Sequence, residues 1–137
     1  MIFFISILAG CSTQPPEVSF PDRGITFHPE IARTALEMER GLMNRTSAEK
    51  GMLFIFDTNG YYYFWMRDTL IPLDMIFMNG VGQVVDVIHA EPCTSMHCET
   101  YTSIAPARFV LEIESGIANQ YGITPGDGAT IKYPLLG

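Results

Sequence analysis

The chain has 137 residues, a length typical of one domain, and its composition (47% hydrophobic, 17% charged) allows a packed core and excludes a disordered chain. Its net charge is −7, from 15 acidic and 8 basic side chains. This charge repels polyanions and no basic stripe offsets it, so we do not expect a nucleic acid as a partner.

The first ten residues are almost wholly apolar. A helix of that length reaches only about 15 Å, half of a bilayer core, so it cannot span a membrane. It ends in Leu8-Ala9-Gly10-Cys11, which resembles the lipobox of bacterial lipoproteins. We therefore expect residues 1–10 to be a signal peptide and residues 11–23 to be a tether lipidated at Cys11. No Lys or Arg precedes Arg23, so either the true start lies upstream or the signal peptide is truncated.

These features predict a location in the cell envelope. The lipid on Cys11 would hold the protein on a membrane, and several acyl chains make such an anchor stable. Ser12, rather than Asp, follows the cysteine. By resemblance to lipoprotein sorting rules, this favours the outer membrane, facing the periplasm, in a Gram-negative cell.

Residues 24–137 are predicted to form a single mostly-β domain, which begins with an extended stretch. Thr34 and Glu37 have the spacing of a capping box, which predicts a short helix to about residue 43 with Leu36 buried. A continuous apolar run at residues 52–56 predicts a buried strand. We expect a turn and then a returning strand to follow within residues 57–66.

Asn79-Gly80 is a strong hairpin signal between two predicted strands, residues 74–78 and 83–89. A long loop over residues 90–106 follows. A short helix near residues 116–121 and a last strand at residues 129–133 are predicted to close the domain.

Residues 108–114 alternate between apolar and polar side chains. Alternation predicts a strand with Phe109, Leu111 and Ile113 in the core and with Glu112 and its polar neighbours in solvent. The domain then has six or seven strands and two short helices without βαβ alternation. The predicted fold class is therefore mainly β, an antiparallel sandwich or barrel.

Cys93 and Cys98 remain as one pair once Cys11 is acylated. In an oxidising compartment we expect a disulfide, which would fix one short loop. His89, Met96 and His97 lie nearby, so metal handling by this loop is an alternative. The pair lacks the usual Cys-x-x-Cys spacing, and the disulfide is preferred.

Three blocks occur in order along the domain: Arg40-Gly41-Leu42-Met43-Asn44-Arg45, Gly51-Met52-Leu53-Phe54-Ile55-Phe56 and Phe64-Trp65-Met66-Arg67-Asp68-Thr69-Leu70-Ile71-Pro72-Leu73-Asp74. Together with Cys98-x-x-Tyr101, Val110-Leu111-Glu112 and Gly122-Ile123-x-x-Gly126-Asp127, they resemble the domain of unknown function 192 family. The family usually has Lys-Asn where this chain has Arg67-Asp68. The resemblance implies a compact, mainly-β domain that is often exported, and it implies no activity.

The candidate binding residues are polar or aromatic side chains that could converge from these blocks. They are Arg40, Arg45, Trp65, Arg67, Asp68, Asp74 and Tyr101. If they converge, an aromatic floor with guanidinium groups would suit an anionic or sugar-like ligand. The alternative for the same residues is a structural role in core packing and ion pairs.

No nucleophile elbow, zinc helix, phosphate-cradling loop or dinucleotide fingerprint occurs, so no catalytic residue, cofactor or metal is predicted. The leading hypothesis is a non-catalytic accessory lipoprotein that binds a small molecule or an envelope protein. The alternative is a hydrolase or transferase acting on an envelope substrate, with Asp68 and Asp74 as acid and base.

Overall fold

The computed structural model describes residues 14–135, which form a mainly-β, sandwich-like fold with two short helices. The first half contains β1 (Glu17–Phe20), a 3-10 turn (Pro21–Arg23), β2 (Ile25–Phe27), β3 (Glu30–Ala32), α1 (Ala35–Arg40), β4 (Met52–Gly60) and β5 (Phe64–Trp65). The second half contains β6 (Leu73–Met78), β7 (Val84–Ala90), β8 (Thr100–Tyr101), β9 (Ala107–Glu114), α2 (Ile117–Gln120) and β10 (Thr130–Lys132). The predicted fold class is confirmed.

A five-stranded sheet in the order β3-β4-β9-β6-β7 forms the centre of the fold. Its strands pair antiparallel, apart from the parallel pair β3 and β4. A three-stranded sheet, β10-β1-β2, contributes to the apolar cluster on one face of the central sheet. The two-stranded sheet β5-β8 and the segment around α1 contribute to the cluster on the other face. The central strand β9 is therefore covered on both sides.

The predicted tether is part of the folded domain from residue 17 onward. Val18 and Phe20 of β1 are 0% exposed and pack against Ile76 and Leu111 of the central sheet. The fold thus includes residues before the predicted boundary at residue 24, and a strand with only two inward side chains has too short a pattern to recognise from sequence. The predicted signal peptide and Cys11 lie outside the described residues.

Local signals around the helices and the hairpin are confirmed, with some errors in extent. Thr34 and Glu37 form the predicted capping box. Leu36 is 65% exposed, so its predicted burial is wrong. The hairpin at Asn79 joins β6 and β7 as predicted. The turn predicted at residues 57–60 is wrong, since β4 continues to Gly60 and the returning strand is only β5.

Candidate functional site

A cavity of about 330 Å³ opens beside β5, on the face of the central sheet that α1 partly covers. One wall is the end of α1 and the loop after it, residues 38–43. The opposite wall and floor are aromatic and polar side chains from β4, β5, β8, β9 and the segments before and after β5. They are Phe54, Phe56, Tyr62, Tyr63, Phe64, Trp65, Thr69, Thr100 and Glu112. We call this the aromatic cavity.

The rings of the aromatic cavity support one another from the buried floor to the mouth. Phe54 and Phe64 are buried and meet edge to face, with ring centroids 5.1 Å apart. Phe56 stacks on Tyr62 at 3.6 Å. Trp65 is 40% exposed and lies near the mouth. Edge-to-face and stacked arrangements are the favourable geometries for such rings, so the cavity walls hold their shape without a ligand.

Two loops that flank the cavity are tied together by the backbone. The amide of Asn44 donates a hydrogen bond of 2.8 Å to the carbonyl of Asp68, and both residues have positive φ, 60° and 54°. Asn and Asp tolerate this left-handed conformation better than other residues that carry a side chain. The structure thus explains why the family's Asn at position 68 can be an Asp here: both residue types suit the backbone.

Glu112 is the buried carboxyl group of the cavity and the principal site residue that the sequence prediction missed. It is 4% exposed, although its alternating strand predicted a solvated side chain. Its partners in register on the neighbouring strands are Met52 and Met75, both buried. Within residues 14–135 no hydrogen bond or ion pair uses its carboxylate. Burial raises the pKa of Glu112 to about 8, because desolvation disfavours the charged form.

Of the predicted site residues, Arg40 and Trp65 both line the aromatic cavity. Arg67 stands beside them, with its guanidinium carbon 5.4 Å from the centre of the Trp65 ring. Asp68 is exposed, with its carboxylate 3.9 Å from Nε of Arg67. Tyr101 pairs in register with Phe64 and is half-buried behind the cavity wall.

The structure places Arg45 and Asp74 elsewhere. Arg45 binds Glu30 at 2.7 Å on the surface, where the ion pair lowers the pKa of Glu30. The carboxylate of Asp74 accepts hydrogen bonds from the backbone amides of Gly116 and Ala118 at 2.9 and 3.0 Å, at the start of α2. These contacts give Asp74 a structural role, and no hydrogen bond links it to Asp68 in the described part of the chain. The predicted pairing of Asp68 and Asp74 as acid and base stays a prediction.

The cysteine loop supports the cavity wall from behind. Cys93 and Cys98 form the predicted disulfide, with Cα atoms 5.7 Å apart. Because both sulfurs are bonded to each other, neither is a thiolate available to a metal. The amide of Cys93 donates to the carbonyl of Met66 at 3.2 Å, next to Trp65. Across residues 14–135 there is no group of three or more His, Cys, Asp or Glu side chains that could hold a metal ion.

No helix in the described part of the chain has the length and apolar character needed to cross a membrane.

Comparisons with known proteins agree with this fold. A protein of unknown function from Novosphingobium aromaticivorans DSM 12444 is 36% identical, with a TM-score of 0.71 over 85% of this chain and 83% of that one. A protein of Sinorhizobium meliloti 1021, described as a candidate transcription regulator, is 29% identical, with a TM-score of 0.73 over 85% of this chain and 91% of that one. No curated protein matches the chain. The model of the DUF192 family, described as "Uncharacterized ACR", matches residues 18–131, and the chain therefore belongs to that family.

Proposed function

We propose that the protein is an envelope-anchored, non-catalytic module that binds a small molecule in the aromatic cavity. The observation that carries this proposal is Glu112, a largely buried carboxyl group that lines a cavity open to solvent and has no hydrogen-bond partner within residues 14–135. A carboxyl group that is largely removed from water gains from a partner, and a ligand in the cavity would supply one. An accessory protein could still dock at the mouth, but the partner of Glu112 must enter the cavity.

The dimensions and lining of the cavity support a small ligand. Small-molecule sites are concave, mostly apolar, and contain a few placed polar groups, with volumes from about 300 Å³ upward. The aromatic cavity has about 330 Å³, several aromatic rings and a single buried carboxyl. This volume suits a ligand of the size of one sugar ring or one amino acid.

The engagement of Asp74 by backbone amides favours binding over catalysis. Asp74 is engaged by the backbone of α2, which leaves Asp68 alone on the surface. General acid–base chemistry needs groups within hydrogen-bond reach of the reacting atoms.

Anchoring in the envelope is supported by two features of the chain. The lipobox-like sequence before Cys11 would direct lipidation. The disulfide between Cys93 and Cys98 agrees with export, because disulfides persist in oxidising compartments. A short tether before β1 would leave the domain close to the membrane surface.

Native mass spectrometry of the protein purified from its own envelope, without reductant or chelator, tests the proposal. We expect a lipidated Cys11 and an added small-molecule mass that is lost on denaturation. Trp65→Ala should lose the added mass, and Arg45→Gln, a surface control outside the aromatic cavity, should keep it. A protein with no added mass, or with one that Trp65→Ala retains, would contradict binding in this cavity.

A further inference from the structure

The electrostatics of the aromatic cavity identify the class of its ligand. Glu112 lies deep in the cavity, and burial is the whole cause of its raised pKa. Within residues 14–135 no basic side chain forms a salt bridge with its carboxylate. The group is therefore free to pair with a charge that the ligand brings.

The other charged and titratable groups around the cavity do not supply that charge. Those that line it are Glu39 and Arg40 from α1, and Tyr62 and Tyr63 from the segment before β5. The strands on both sides of Glu112 place methionines beside it, Met52 and Met75. Arg40 is exposed, so water screens its charge from the buried carboxylate. Glu39 is exposed as well, so water screens its charge in the same way.

The aromatic rings favour a cation as well. The faces of aromatic rings carry partial negative charge, and they attract ammonium groups that lie within about 6 Å of the ring centre. Phe54 and Phe64 line the cavity that contains Glu112, whereas Trp65 already has the guanidinium of Arg67 5.4 Å from its ring centre. An anionic ligand would be repelled by the carboxylate of Glu112 and by the partial negative charge of the ring faces. Two of the hydroxyl groups that line the cavity already donate to backbone carbonyls, Thr69 to Arg67 at 3.4 Å and Tyr62 to Thr58 at 2.7 Å.

We infer that the aromatic cavity binds a small organic ligand through an ammonium group, which pairs with the carboxylate of Glu112 and lies against the surrounding rings. This inference rests on the proposed ligand-binding function and names the chemical class of the ligand.

Proton release on binding follows from this pairing. Free Glu112, with a pKa of about 8, is mostly protonated at neutral pH. A bound ammonium favours the carboxylate, so the complex forms with loss of one proton from Glu112. Below about pH 8, the affinity should rise about tenfold per pH unit, and it should level off above that value.

The test uses three probes of equal length that differ only in charge: pentylamine, 1-pentanol and pentanoate. Trp65 is the one tryptophan of the chain and lines the cavity, so its fluorescence reports binding. Above about pH 8, where free Glu112 is ionised, we expect pentylamine to bind about tenfold or more tightly than 1-pentanol, because a charge-assisted pair outweighs a neutral one. Pentanoate should bind weakest.

Glu112→Gln keeps the shape of the side chain and removes its charge. It should abolish both the preference for pentylamine and the pH dependence, while Glu114→Gln, at an exposed position on the same strand, should preserve them. Equal or tighter binding of 1-pentanol or pentanoate would overturn the ammonium assignment, as would an affinity for pentylamine that falls between about pH 6 and pH 8. If no probe binds but the purified protein carries an added mass, the ammonium assignment fails and the proposed ligand-binding function stands. If no probe binds and no added mass is found, both the ammonium assignment and the proposed function fail.

Discussion

Replacing Glu112 by Gln should change how stability depends on pH. A carboxyl group whose pKa is raised in the folded state binds a proton there that it has lost in the unfolded chain. Its contribution to stability is therefore fully present below the ordinary Glu pKa, and it is lost as pH rises through the folded value of about 8. Gln cannot ionise, so Glu112→Gln should escape this loss.

The size of the effect follows from the two pKa values, 4.5 in the unfolded chain and about 8 in the folded one. Each unit of difference corresponds to about 1.4 kcal/mol. Between about pH 5 and pH 9, the wild-type protein should lose about 4 kcal/mol of unfolding free energy relative to Glu112→Gln. About 2.5 kcal/mol of that loss should already be present at pH 7.

Urea unfolding at several pH values, followed by Trp65 fluorescence, measures this difference. Glu114→Gln is the matched control, because it removes the same charge from an exposed position of β9. Its effect should stay nearly constant over the same range. A difference between wild type and Glu112→Gln that does not change with pH would refute the assignment of Glu112 as a buried carboxyl without a partner.

Three further predictions address the supports of the site. Asp74→Ala should lower the unfolding free energy by about 2 kcal/mol or more, since one buried and one part-buried amide at α2 lose their acceptor; an unchanged urea midpoint would contradict this. Replacing Cys93 and Cys98 by Ser should cost about 2 kcal/mol, as expected for a short closed loop with a sequence separation of 5; urea unfolding of the double variant measures it. Hydrogen bonds to Glu91 and then Asp74 raise the pKa of His89, so its stabilisation is fully present below about pH 6.5 and is lost as pH rises through the raised value. The melting-temperature difference between wild type and His89→Gln should therefore shrink from about pH 6 to pH 8, and a constant difference would argue against it.

The local elements of this protein could be predicted from its sequence because their signals lie within a few residues. The capping box at Thr34, the hairpin at Asn79 and the alternation in β9 each need only neighbouring side chains to form. The disulfide was predicted from the number of cysteines, because Cys93 and Cys98 remain as one pair once Cys11 is acylated. Of the candidate site, Arg40 and Trp65 were found by residue type alone.

The tertiary structure decided which faces of these elements are buried. The alternation in β9 distinguishes the two faces of the strand, but it does not show what covers each face. In this fold both faces are covered, so Glu112 is buried. In a sheet with only one covered face, the same residue would be in water. Val110, an apolar residue on the same face as Glu112, was the available sign of a second buried side. The structural role of Asp74 could not be predicted from its neighbours in sequence. Its carboxylate accepts hydrogen bonds from the start of α2, which lies more than forty residues away along the chain. Burial and pairing depend on contacts between distant segments, which short-range sequence patterns do not encode.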